Sequence, residues 1–158
     1  MAIQIETYSQ DDFLQLRTDW EQLQTGKEMT YFQTWDWNNM LLRGVPKDSA
    51  HFETLFLLVK RAEIAEMIVP LWIIKKRYRW VHHPMIYLFG QGGWSDYLNC
   101  IYNDFREEIM DAAIDFIQKQ HPSIPLYFTS LKEHSSLYRY ILKHYILLTC
   151  IQRDCVSL

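Results

Sequence analysis

Two long apolar runs facing each other across a short turn constrain this chain more than any other feature. Phe52 to Lys60 contains the unbroken stretch Leu55-Phe56-Leu57-Leu58-Val59, and Ile64 to Ile74 is a second run of apolar and β-branched residues. Only the charged Lys60-Arg61-Ala62-Glu63 segment separates them. Two runs of strand length joined in this way read as an antiparallel hairpin. The absence of polar alternation is the pattern of a strand buried inside a fold rather than lying on its surface. Pro70, inside the second run, carries no N–H for a ladder and predicts a bulge or an edge position there.

Around this hairpin the periodicities are mixed. Ile3 to Tyr8 alternates, as a half-buried strand does. Ser9 reads as an N-cap with Asp11 and Asp12 in the first helical turn, followed by Phe13, Leu16, Trp20 and Leu23 at helical spacing. Gly26 can close that helix in the left-handed conformation. Thr34 caps a second helix through Leu42, with Trp37, Met40 and Leu41 on one side and Gly44 and Pro46 beyond its end. Met85 to Phe89 is a short strand, Gly90-Gln91-Gly92-Gly93 a loop, and Tyr97 to Tyr102 another strand. Asp104 caps a helix running to Gln120, with Phe105, Ile109, Ala112, Ala113 and Phe116 inward. A strand at Ile124 to Ser130, a helix at Ser135 to His144 and a closing strand at Leu147 to Ile151 complete the order β-α-α-β-β-β-β-α-β-α-β. The fold class is mixed α/β, with an antiparallel start and a later helical crossover.

Composition sets the outer bounds. At 158 residues the chain is the size of one domain and buries enough surface to fold without a disulfide or a metal. Sixteen basic against nineteen acidic residues give a net charge of −3, which argues against a dedicated nucleic-acid binder. Cys100, Cys150 and Cys155 form no CxxC pair and no zinc spacing, so reduced, mostly buried thiols are expected. The alternating Met1 to Thr7 segment does not read as a signal peptide, and Ile64 to Ile74, broken by Glu66 and Pro70, is too short to span a bilayer. A cytoplasmic protein without a membrane span is expected.

Several residues could carry chemistry. Gly90-Gln91-Gly92-Gly93 has neither dinucleotide-loop nor P-loop spacing, and a turn between strands is the favoured reading. Its rim of Trp94, Asp96 and Tyr97 is nonetheless what a substrate-facing loop carries. Lys75 to Trp80 with His82-His83 is the concentrated basic and aromatic cluster. It reads foremost as the solvated end of a long hairpin, with a phosphate, a nucleotide or single-stranded nucleic acid as the alternative contact. The adjacent histidines face opposite ways on a strand, and no metal is assigned. There is no GxSxG elbow, and Cys100 reads as a buried structural thiol. Phe32-Gln33-Thr34-Trp35-Asp36-Trp37 reads as a cap with packing aromatics.

Taken in succession, these segments resemble one family. Phe32-Gln33-Thr34-Trp35-Asp36-Trp37 is similar to the F-x-[ST]-x-x-W segment of CelD/BcsL-type acyltransferases, in the FemAB-like branch of the GNAT superfamily. Ile68-Val69-Pro70-Leu71 resembles that family's a-P-L strand, and Leu88-Phe89-Gly90 with Ser95-Asp96-Tyr97-Leu98 resembles its l-G and s-D-Y-l segment. The resemblance implies a GNAT-like mixed β-sheet flanked by helices. It also implies that residues 1–158 correspond to the N-terminal half of a tandem architecture, with a second GNAT-like domain or a homo-oligomer as partner.

The activity so implied is transfer of an acyl group from acyl-CoA (acetyl-CoA) as cosubstrate to a small-molecule amine acceptor. Asp96, Tyr97 and Trp94 would face the substrate, with Trp35 and Trp37 walling the cleft. The [QR]-x-x-G-x-[GA] turn that opens the CoA-binding helix of GNAT enzymes is absent, and the family places the donor in the C-terminal half. A non-catalytic pseudo-GNAT module that recognises an acceptor or a partner domain is therefore the alternative.

Overall fold

The computed structural model describes residues 2–46, 51–78, 81–91 and 95–144, and for 76–78 and 81–83 the backbone alone. A four-stranded antiparallel meander runs in the order β1 (Ile3–Tyr8), β2 (Phe52–Arg61), β3 (Ile64–Tyr78), β4 (Val81–Leu88). Helices α1 (Arg17–Leu23) and α2 (Trp35–Gly44) lie between β1 and β2, and α3 (Glu107–Gln120) and α4 (Ser136–His144) follow the sheet.

The consecutive apolar residues of β2 and β3 are explained by burial on both faces. Leu57, Val59, Met67, Val69, Leu71 and Ile73 point into a core shared with Ile109, Met110, Ala113, Ile114 and Ile117 of α3 and with Leu137 and Tyr140 of α4. Their neighbours Phe56, Leu58, Ile68 and Trp72 point the other way, against Phe13, Leu16, Trp20, Leu23, Trp35 and Leu42. The result is a helix–sheet–helix sandwich. The β2–β3 hairpin closes on Ala62 and Glu63, both at positive φ (50° and 64°), the backbone of a two-residue type I′ turn.

Several elements differ from what local pattern predicts. The first helix begins as a 3-10 turn at Phe13–Leu16 with Asp12, not Ser9, at its N-cap, and no side chain caps it. Gly26 is not left-handed. Its place is fixed by the Tyr102 backbone, into which a Cβ would be driven. In α2 the buried residues are Trp35, Asn38 and Leu42, while Met40 is exposed, because the helix rolls Trp35 rather than Trp37 onto the core. Pro70 sits in an interior strand, and the register shift lies at Val59/Lys60 instead. Helix α3 starts at Glu107, with Arg106 rather than Asp104 at its cap, and Ala112 and Phe116 are only half-buried. The predicted strands at 97–102 and 124–130 reduce to isolated bridges, and the closing strand at 147–151 lies outside the described residues.

Pro70 marks the point where the sheet opens. Leu71 faces Leu88, so an unbroken register would set Ile68 opposite residue 91; Ile68 instead faces Ile101, ten residues further on. Phe89 donates its N–H to the Pro70 carbonyl at 2.9 Å, but proline returns no N–H to the Phe89 carbonyl. The chain is freed to leave the edge at Gly90 and returns at Ile101, which exchanges two 2.9 Å hydrogen bonds with Ile68. The excursion is flanked by a parallel segment after α3, through the bridges Ile86↔Leu126 and Leu98↔Leu131.

Candidate functional site

Where the excursion is described again, at Ser95 to Leu98, it is held by residues 30–38. Thr30 opens a single 3-10 turn with a capping box. Its amide and hydroxyl donate to Gln33 Oε1 at 2.9 and 2.6 Å. The same Gln33, buried to 1% exposure, donates through Nε2 to the Tyr97 carbonyl at 3.1 Å, and its own carbonyl accepts from Trp20 Nε1 at 2.9 Å. Asn38 Nδ2 ties down the carbonyls of Phe32 and Thr34 at 3.0 and 2.9 Å. Thr34 caps α2, its hydroxyl accepting from the Trp37 amide. Trp37 Nε1 then donates to Ser95 Oγ at 2.8 Å.

The far side of the excursion is equally fixed. Gly90 adopts φ +89°, and a Cβ there would lie 2.6 Å from Ser95 Oγ, so only glycine fits. Gln91 is buried and accepts the Thr129 amide on Oε1 at 3.0 Å. Leu98 donates to the Ser130 carbonyl at 2.7 Å. The three sequence blocks that carry the family resemblance therefore meet in one place. Residues 32–37 bond Ser95 and Tyr97, and Pro70 bonds Phe89 beside Gly90.

The candidate residues divide clearly. Asp96 is exposed and makes no hydrogen bond or ion pair among the described residues, while its neighbours Ser95 and Tyr97 are each anchored. Tyr97 is 58% exposed and held at φ 53°, a left-handed backbone uncommon for a tyrosine. Trp37 is half-buried beside the excursion. Trp35 is not a cleft wall. It is 3% exposed, stacked on Phe13 at 4.3 Å between centroids and edge-on to Trp20, and it packs the core. Trp94 lies outside the described residues. Sequence reading missed Tyr31, which is 63% exposed and 5.3 Å from Trp37 by centroid, and the bracing role of Gln33. The Thr30-x-x-Gln33 spacing of a capping box was the available signal for the latter.

Other polar groups are structural. Burial pushes the Cys100 thiol up to about 12, far from a nucleophilic thiolate. Burial would raise the Glu28 carboxyl, but hydrogen bonds from Tyr102 and from the Ser136 amide and hydroxyl outweigh it and hold it low. Glu28 thereby joins the loop after α1 to the N-terminus of α4. No group of three or more His, Cys, Asp or Glu side chains is placed to hold a metal among the described residues. No described helix is long and apolar enough to cross a membrane.

The diphosphate of the acyl-CoA that the sequence resemblance implies would need a helix N-terminus, where free amides and the helix dipole meet an anion, and the first helix after the sheet is the candidate. Here that helix is α3, and its first turn carries Glu107 and Glu108. Glu108 is bonded by Arg61 at 2.9 Å, which with its own amide holds the carboxyl low. Glu107 is bonded by Lys143 at 2.7 Å and by His144 at 3.2 Å, again lowering the carboxyl. Two ionised carboxylates already take the positive end of the dipole, so this helix does not fit a diphosphate.

No family model matches the chain, and no curated protein is similar to it in sequence. Solved structures do resemble it. An aminoglycoside acetyltransferase from an uncultured soil metagenomic sample superposes with a TM-score of 0.61 at 11% identity, covering 100% of this chain and 97% of that one. A second such enzyme from a soil metagenomic sample, crystallised with sisomicin, gives 0.59 at 10% identity over 99% and 96%. A ribosomal-protein-alanine N-acetyltransferase from Brucella melitensis biovar Abortus 2308 gives 0.52 at 8% identity over 100% and 99%. The fold is that of the GNAT N-acetyltransferases. The chain spans nearly the whole length of each of these structures.

Proposed function

We propose that this chain is a cytoplasmic GNAT-superfamily N-acyltransferase-related domain of the CelD/BcsL type, serving transfer of an acyl group from acyl-CoA to a small amine acceptor. The observation that carries the reading is the end-to-end likeness to N-acetyltransferase structures, one of them holding an aminoglycoside. Within that fold the anchored excursion presents Asp96 and Tyr97 toward solvent, and Trp37 lies against it. This is the acceptor side of the reading. The donor would be held by a second GNAT-like domain or by residues outside the described ones, because Glu107 and Glu108 close the α3 terminus to a diphosphate.

A second reading rests on that same α3 terminus: a pseudo-GNAT module that recognises an acceptor or a partner domain without catalysis. Calorimetric titration with acetyl-CoA and longer acyl-CoAs, followed by assay of thiol release with an amine present, separates the two. Saturable donor binding with amine-dependent thiol release supports the transferase. Flat titrations and no release, alone and with a candidate donor domain added, remove it and leave the binding module.

A further inference from the structure

Beside the excursion lies an aromatic surface that packing does not account for. Tyr31, Phe32 and Trp37 form a mutually contacting triad, with Tyr31–Trp37 and Phe32–Trp37 centroids both 5.3 Å apart and interplanar angles of 58° and 79°. Tyr31 is 63% exposed and Met40, three residues on from Trp37 along α2, is 52% exposed. Large apolar side chains left in water together, next to a rigid polar rim, mark an interaction surface. The rim is Asp96. Its Cα is one residue, about 3.8 Å, from Ser95, bonded to Trp37, and the same distance from Tyr97, whose carbonyl is bonded by Gln33. The backbone of Asp96, an exposed residue whose carboxylate has no partner among the described residues, is thus held next to the residue that Trp37 bonds.

We infer that the Tyr31–Trp37–Met40 shelf and the Asp96 carboxylate bind a protonated primary amine carried on a ring-shaped body, of which an amino sugar is the simplest example. The ring lies on the aromatic faces, and the ammonium pairs with Asp96 while staying within about 6 Å of the rings that also attract it. A neutral ring gains the stacking but not the ion pair, and an anionic one is repelled. The shelf is braced by hydrogen bonds already made in the free protein, so binding requires little ordering. The site deepens the acyl-transfer reading by giving the chemical class of the acceptor, and it stands on its own as a binding site.

The test uses glucosamine as probe and glucose as its neutral counterpart, read through the Trp37 indole N–H in two-dimensional NMR spectra. The signal is assigned among the chain's six tryptophans by Trp37→Phe. Glucosamine is expected to move the Trp37 signal saturably, and glucose to do so several-fold more weakly. Asp96→Asn should weaken glucosamine about fivefold, to the level of glucose, as loss of one exposed charge pair predicts. Tyr31→Ala, at an exposed position, should weaken both sugars. Equal responses to glucosamine and glucose, or an unchanged response in Asp96→Asn, would overturn the site. Acyl transfer to glucosamine with an unmoved Trp37 signal overturns the site and leaves the transferase standing. Saturable amine binding at Trp37 with no acyl transfer to any amine, even with acyl-CoA and a candidate donor domain added, supports the site and removes the transferase.

Discussion

Substituting Gly26 by alanine tests the close approach on which the loop after α1 depends. By backbone conformation alone the change should help. Gly26 does not have positive φ, and replacing a glycine in a compatible conformation stabilises by about 0.4–1 kcal/mol through the unfolded chain. The structure gives the opposite sign. A Cβ at Gly26 would overlap the Tyr102 carbonyl oxygen and stand 3.0 Å from its carbon and 3.1 Å from Asn103 Cα. Carbon contacts are comfortable at about 3.5–4.0 Å and the overlap with the carbonyl oxygen is deeper than either carbon contact, so the 102–103 backbone would have to withdraw by roughly an ångström or more. That backbone is held by the paired Ile101–Ile68 hydrogen bonds and by the buried Tyr102 ring, whose hydroxyl donates to Glu28. Overpacking against backbone sits at the upper end of its usual cost, about 3 kcal/mol, and the net loss is then about 2–3 kcal/mol. For a chain of this length that lowers the melting temperature by about 4–12 °C.

Gly44→Ala is the matched control. At the end of α2 an added Cβ meets nothing within 4 Å, so the conformational gain should appear alone, about 0.4–1 kcal/mol of stabilisation. Thermal melts of the two variants and the parent, scanned by circular dichroism, decide the matter. A Gly26→Ala protein that melts at or above the parent would refute the reasoning.

Glu28→Gln should destabilise by about 1–3 kcal/mol at neutral pH, since a carboxylate accepting from Tyr102 and Ser136 is replaced by a neutral acceptor. Because the folded carboxyl is held below 4.5, its contribution is present above that pH and lost as pH falls through the folded value. Urea melts from pH 6 downward should therefore converge for parent and variant. Glu63→Gly relieves a left-handed residue at φ 64° and should stabilise by about 1 kcal/mol in urea denaturation. Cys100, buried with its thiol raised to about 12, should not react with a disulfide reagent in the folded protein. Cys100→Ala should then leave the native thiol titre unchanged and lower the denatured titre by one.

Much of the scaffold was legible because it is written in local chemistry. Burial on both sides of a sheet demands consecutive apolar residues, and residues 55–59 and 64–74 supply them. Hairpin pairing, the strand at Ile3–Tyr8, the cap at Thr34 and the C-terminal ends of α3 and α4 follow from periodicity and turn chemistry within short windows. The succession of short blocks around Trp37, Pro70 and Asp96 pointed to the GNAT architecture, and the sheet and helices have that architecture.

What the sequence alone determined is the first strand, the two helices after it, the buried hairpin and the places of the two later helices. Tertiary structure decided which face each residue presents and which groups meet. Trp35 and Trp37 are two positions apart on one helix, about 200° around its axis, and pattern cannot say which of two aromatics enters the core. Docking α2 on Phe13 and Trp20 made Trp35 the core residue and left Trp37 to bond Ser95. Pro70 likewise reads locally as an edge or a bulge. Only the pairing of β3 with Phe89 on one side and Ile101 beyond it turns its missing N–H into the place where the sheet opens. Contacts between segments far apart in the chain have no periodic signature, because the energy that selects them is released only when both segments are already in place.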